Sequence, residues 1–210
     1  MMIKAVIFDF DNVLIDSIKQ AKDYYHQIFS HFDRKFPSKN KERMLYTLDE
    51  NAKYKLFFSD INRKAFFDYK YSIDFKDYID KVKLIKGSKE LLVYLKSKKI
   101  KIGLVTNRGD STYYILDHFK IKKYFDVILT AKHIKKAKPD PYPINLAVKK
   151  LKVHKKDIIY VGDDKVDITA GKNAKVKVIL YKNNFRGADY QIKNLLDIKK
   201  IISYRKFLNT

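Results

Sequence analysis

The sequence predicts an α/β protein: a doubly wound parallel sheet with a smaller helical insert after the first strand. Three observations predict it. Near-continuous apolar runs rich in β-branched residues recur along the chain, as strands covered on both faces require. Helix-period segments alternate with them through the second half, the pattern of a βαβ chain. The stretch 15–83 breaks this rhythm, with helical spacing and about half of the chain's 14 Phe and 16 Tyr. A length of 210 residues accommodates one sizeable domain plus such an insert.

The first expected strand is 3–8, and it ends in Phe8-Asp9-Phe10-Asp11-Asn12-Val13-Leu14. Side chains at i and i+2 leave a strand on the same face, so Asp9 and Asp11 converge. Two like charges held together are costly unless a cation or a shared proton offsets them. In the insert, Ile18, Ala21, Tyr25, Ile28, Phe29 and Phe32 fall at helical spacing. Its aromatics predict a small core of its own. The main fold resumes near Lys86-Gly87. A helix over 88–98, with Leu91, Leu92 and Leu95 as its stripe, leads to a strand over 100–105. A helix over 111–119 follows, N-capped by Asp110 or Ser111. Next come a strand over 125–130, a helix over 143–151 and a strand over 157–161. A short helix over 168–174 and a strand over 176–181 complete the series.

Composition narrows the function classes. At 46% hydrophobic and 33% charged residues, the chain reads as soluble and globular. No apolar run approaches the roughly 20 residues needed to span a bilayer. Met1-Met2-Ile3-Lys4 enters the first apolar run directly, so no secretory leader is expected. The absence of Cys excludes disulfides and thiolate metal sites and is compatible with a cytoplasmic location. The formal net charge of +22 raises the alternative of nucleic-acid binding. Lys is spread along the whole chain rather than gathered in one arm, which points instead to a solvated basic surface. Such a field favours a small anionic substrate. The five His residues show no ligand spacing. Monomer and homodimer are both compatible with the sequence.

Three further polar groups follow strand-like runs: Thr106-Asn107-Arg108, Lys138-Pro139-Asp140-Pro141 and Gly162-Asp163-Asp164-Lys165-Val166-Asp167. Open α/β sheets bind ligands at the carboxyl ends of their strands. With Asp9 and Asp11, all four groups are delivered to that edge. The inventory suits phosphoryl transfer assisted by a metal. Carboxylates are the hard oxygen ligands that Mg²⁺ prefers, and the cation would relieve their repulsion. One carboxylate can attack phosphorus and a second can move protons. Lys138 supplies positive charge and Thr106 a hydroxyl donor. Arg108 is either a contact to a distal anion of the substrate or an exposed surface residue. Asp164 is either a metal ligand or a helix N-cap.

These residues resemble the haloacid dehalogenase superfamily. Asp9-Phe10-Asp11 is similar to its first motif, Thr106 after Leu104-Val105 to its second, and Lys138 to its third. Gly162 to Asp167 is similar to its Gly-Asp-x-x-x-Asp motif. The resemblance covers residues 3 to about 181. It implies a Rossmann-like core over 1–14 and 84–210, and a helical cap over 15–83 of the phosphoglycolate phosphatase-like branch that closes over the site. It implies Asp9 as nucleophile, Asp11 as general acid/base, and Thr106 and Lys138 as catalytic groups that bind the phosphoryl moiety, with Asn107 and Arg108 as further substrate-binding residues beside them. It implies an Mg²⁺ site from Asp9, the Asp11 carbonyl and Asp163, with Asp164 or Asp167 assisting or ligating directly. The implied activity is an Mg²⁺-dependent phosphatase acting on a small phosphomonoester. A phosphomutase of the β-phosphoglucomutase type is the alternative. Asp11 sets the chain apart from the dehalogenase branch, which lacks an acid there. Asn12 stands where many relatives carry Gly; Asn tolerates a left-handed backbone, so the turn is expected to survive. Lys86 stands where many relatives carry Pro.

Overall fold

The computed structural model describes residues 2–207. Met1, where the leader reading starts, and 208–210, the end of the expected core segment, lie outside the described residues. The chain forms two compact units, one of Met1–Asp16 with Leu84–Thr210 and one of Ser17–Lys83.

Strand β1 (Ala5–Phe8) is buried along its whole length. A tight turn follows. Asn12 adopts a left-handed φ of 58°, and its N–H donates to the Ile15 carbonyl at 2.7 Å. The expectation for Asn12 therefore holds: its short polar side chain carries no branched Cβ to oppose that backbone. Strand β2 (Ile15–Asp16) ends this segment.

The second unit is helical: α1 (Ile18–His31), α2 (Lys39–Glu42), α3 (Met44–Thr47), α4 (Glu50–Phe57) and α5 (Arg63–Ser72). Asp49 caps α4 by accepting from the Ala52 N–H at 3.0 Å, and Asn62 caps α5 by accepting from the Ala65 N–H at 3.1 Å. A 3₁₀ turn over Phe75–Lys81 follows. The aromatics form one core, with ring centroids 4.7 Å apart for Phe29–Phe58 and 4.6 Å for Phe58–Phe66. Their buried area, rather than helix propensity, holds such short helices in place. One polar cluster ties α1, α4 and α5 together. Glu50 lies between Lys53 at 3.1 Å and Lys70 at 2.9 Å, and Lys53 also donates to the Tyr25 hydroxyl at 2.8 Å. Burial opposes the Glu50 charge, yet the two lysines outweigh it and bring its pKa down to about 2.

Strand β3 (Lys83–Leu84) returns to the first unit. Gly87, at φ 88°, precedes α6 (Ser88–Ser97). Then come β4 (Lys101–Val105), α7 (Ser111–His118), β5 (Val127–Leu129), α8 (Tyr142–Leu151), β6 (Ile158–Gly162), α9 (Lys165–Asn173), β7 (Lys177–Tyr181), β8 (Tyr190–Ile192) and α10 (Asp197–Phe207). Six strands form one parallel sheet in the order β5-β4-β1-β6-β7-β8. The α/β doubly wound class read from the apolar runs is the observed one. Ile144 and Leu151 of α8 and Ala170 of α9 pack with Ala5, Ile7 and Tyr160, one face of the central strands. Among the described residues, no helix is long and apolar enough to cross a membrane.

Three differences from the sequence reading have local causes. Helix α9 starts at Lys165 rather than 168, because Asp164 caps it. The sequence reading stopped before β8, whose three residues include an exposed Gln and give no periodic signal. It also stopped before α10, which lacks a clean apolar stripe.

Candidate active site

Strand β1 sits between β4 and β6, with the chain running outward from it on both sides. Such a reversal of strand order opens a crevice at the carboxyl edge. The register pairs Phe8 with both Leu104 and Val161, so the three strands end level. The Asp9 N–H continues the ladder, donating to the Val161 carbonyl at 2.8 Å. Asp9 thus leaves a fixed backbone and is 7% exposed.

Lys138 is the hub. Its ammonium donates to Asp9 Oδ1 at 2.6 Å, to Asp167 Oδ1 at 2.8 Å and to the Tyr160 hydroxyl at 3.0 Å. All three donors are therefore used. Burial disfavours the ammonium, but Asp167 and Asp9 outweigh it and hold its pKa well above the ordinary value. The Lys138 backbone is pinned as well: its N–H donates to Asn107 Oδ1 at 3.2 Å, and its carbonyl accepts from Asn107 Nδ2 at 3.3 Å. Asn107, read from the sequence as a substrate contact, spends both ends of its amide on this loop.

Asp167 is saturated. Oδ1 accepts from Lys138 and from the Tyr160 hydroxyl at 2.7 Å; Oδ2 accepts from the N–H groups of Asp163 at 3.1 Å and Asp164 at 3.2 Å. The bonds to Oδ2 fix the orientation of the 162–167 loop. Asp164 forms the other half of this capping box, its carboxylate accepting from the Val166 N–H at 3.3 Å. Of the two readings for Asp164, the structure realises the N-cap. The Asp163 carbonyl is held by the Asn183 amide. The Asp163 carboxylate, by contrast, accepts no hydrogen bond among the described residues. Burial pushes its pKa up to about 8, reinforced by Asp167 and Asp9. Burial likewise raises Asp9 to about 7, against the pull of Lys138.

Oxygens of Asp9, Asp163 and Asp167 lie within 4.8 Å of one another. A half-buried carboxylate without a donor, beside two buried ones, is the condition a hard cation relieves. The residues therefore fit a metal, with Asp9 and Asp163 supplying acceptors and Asp167 holding the loop behind them. The Asp11 carboxylate is directed elsewhere. Arg108 grips it, Nε donating to Oδ1 at 3.1 Å and Oδ2 at 3.0 Å, and Nη2 donating to Oδ1 at 2.5 Å. Arg108 Nη1 donates to Ser111 Oγ at 3.2 Å. With its side chain 13% exposed, Arg108 is not the exposed surface residue of the second sequence reading. Thr106 is buried, and its Oγ1 accepts from the Arg108 N–H at 3.0 Å. Its own proton has no acceptor among the described residues.

The family model for haloacid dehalogenase-like hydrolases matches residues 6–181. The chain belongs to that family. As a haloacid dehalogenase-like hydrolase it is similar to pyrophosphatase PpaX of Oceanobacillus iheyensis, 26% identical over 216 residues that cover 96% of this chain and 98% of that one. A subfamily IA hydrolase from Geobacter sulfurreducens superposes with a TM-score of 0.82 at 25% identity, covering 95% and 99% of the two chains. A β-phosphoglucomutase from Clostridium difficile shares the fold, with a TM-score of 0.82 at 21% identity over 98% and 99%.

Tyr160 is the site residue that sequence reasoning missed. It lies inside the apolar run of β6, where a Tyr reads as strand filler. Its polar tip was the only signal, since a buried Tyr hydroxyl needs a partner. Gly162 also acquires a reason. A Cβ there would lie 2.3 Å from Asp167 Cβ and 2.4 Å from Cγ. Gly162→Ala must therefore displace the residue that orients the loop. We expect a stability loss of about 1–3 kcal/mol, the usual cost of overpacking, measured by denaturant unfolding, together with a fall in turnover.

Proposed function

We propose that this hydrolase is an Mg²⁺-dependent phosphatase of small phosphomonoesters that carries the phosphoryl group transiently on Asp9. The observation that carries the reading is the meeting of Asp9, Asp163 and Lys138 at the switch point of the sheet. Asp9 attacks phosphorus through a carboxylate oxygen, forming an acyl phosphate as the ester P–O bond breaks. Asp11 gives its proton to the departing oxygen, so the alcohol leaves neutral. Asp11 then takes a proton from a water that attacks the same phosphorus, which restores the Asp9 carboxylate and the protonated Asp11 and releases phosphate. Lys138 fixes the Asp9 carboxylate, and the uncommitted Thr106 proton is available to a phosphoryl oxygen. A bound Mg²⁺ would neutralise charge on the carboxylates and the transferring group.

Ser17–Lys83 serves as the cap in this reading, and its side chains choose among substrates. The names of the relatives support phosphoryl chemistry: one is a pyrophosphatase, one a phosphoglucomutase. Solved structures sharing the fold also include one in complex with phosphate. The test is a panel of p-nitrophenyl phosphate, phosphoglycolate, sugar phosphates, nucleotides and pyrophosphate, assayed with Mg²⁺ and with chelator. The expected result is phosphate release that stops on chelation. Isomerisation of a sugar phosphate without net release would identify a mutase, and no release across the panel would remove the proposal.

A further inference from the structure

Asp11 and Arg108 are 97 residues apart in sequence, yet they form a complete fork. The guanidinium contacts both carboxylate oxygens, and Ser111 on α7 fixes its remaining arm. Bidentate pairs of this kind are among the strongest and most directional that side chains make. Here the fork holds the one carboxylate that the proposed chemistry needs free. A carboxylate gripped by a guanidinium is a poor proton donor, and it cannot also reach a leaving oxygen. Pulling Asp11 away would leave Arg108, only 13% exposed, without its anion. Exchanging one anion for another on the same fork avoids that cost.

Lys138 has all three donors committed. The Lys165 ammonium lies 5.1 Å from the centroid of the Phe185 ring. The pair is also reachable, since the Asp11 side chain is 26% exposed.

We propose that Arg108 is a specificity-determining and positioning residue: it parks Asp11 at rest and releases it when a second anionic group on the substrate takes Asp11's place on the guanidinium. The favoured substrates are then phosphomonoesters whose leaving group carries another anion, a carboxylate or a second phosphate. No covalent step is added; one ion pair replaces another, and the released Asp11 carboxylate takes from solvent the proton that it later gives to the leaving oxygen. The inference rests on the phosphatase reading and deepens it.

Equilibrium binding of non-hydrolysable phosphonates tests it without turnover. Methylphosphonate has no second anion, phosphonoacetate adds a carboxylate, and methylenediphosphonate adds a phosphonate. Titration calorimetry at one fixed free Mg²⁺ concentration should show the wild type preferring an anionic tail by about 10- to 100-fold, the scale of a charge-assisted hydrogen bond. The preferred arm tells carboxylate from phosphate. In Arg108→Gln the ratio should fall toward one. Arg108→Lys, which keeps the charge but not the fork, should fall between. A purely structural role for Arg108 would weaken all three ligands together and leave the ratio intact, overturning the proposal. Equal affinities in the wild type would overturn it alone. Failure of every phosphonate to bind would instead remove the phosphatase reading and this inference with it.

Discussion

Asp9→Asn eliminates turnover while the protein stays folded. The amide matches the carboxylate in shape, so the ladder bond from the Asp9 N–H to Val161 is untouched. What disappears is the proposed nucleophile. An amide oxygen in place of a carboxylate removes the step on which all later ones depend, and loss of a covalent nucleophile costs roughly four or more orders of magnitude. Stability should change little or rise. The wild-type carboxyl is pushed up to about 7 chiefly by burial, so its charge is a burden on the fold. Steady-state assays beside thermal melts check both halves. Activity above about one per cent of wild type would remove Asp9 from the attacking role.

Lys138→Met carries the largest expected effect on stability. Its ammonium is the shared partner of Asp9 and Asp167, and its side chain is 4% exposed. Methionine fills a similar volume but leaves two buried carboxylates facing each other. Removing one member of a buried ionic group typically costs about 3–5 kcal/mol. Tyr160 still donates to Asp167, which limits the damage on that side. Adding Asp167→Asn should therefore recover part of the loss, because one of the two stranded charges is gone. A double-mutant cycle by denaturant unfolding measures the coupling. Strictly additive losses would mean that Lys138 and Asp167 do not act as a unit.

How far the site was legible in the sequence depended on how each residue announced itself. Asp9, Asp11, Thr106 and Asp163 each follow an apolar run, so their delivery to one edge could be read from strand periodicity alone. Lys138 was legible through its setting between motifs rather than through charge, in a chain with Lys throughout. The partners that decide what these groups do were not legible. Arg108 meets Asp11 across 97 residues, and no local pattern encodes that contact. Asn107 looked like a ligand contact because its neighbours do; its amide is spent on the Lys138 backbone. Tyr160 was hidden by its own strand. Asp164 and Asp167 could be told apart only once the capping box fixed which oxygen faces which N–H. The fold followed the same rule: long buried strands were clear, while the three-residue β8 was not.

The central claim is that phosphorus is transferred to Asp9. It is tested most directly by trapping that bond. Enzyme turning over a phosphomonoester with Mg²⁺ is quenched and reduced with borohydride, which converts an aspartyl phosphate to homoserine, and the peptides are sequenced by mass spectrometry. The account predicts homoserine at position 9, at no other aspartate, and only when substrate is present. Turnover with Asp9 unmodified, or with the label at Asp11 or Asp163, would contradict it.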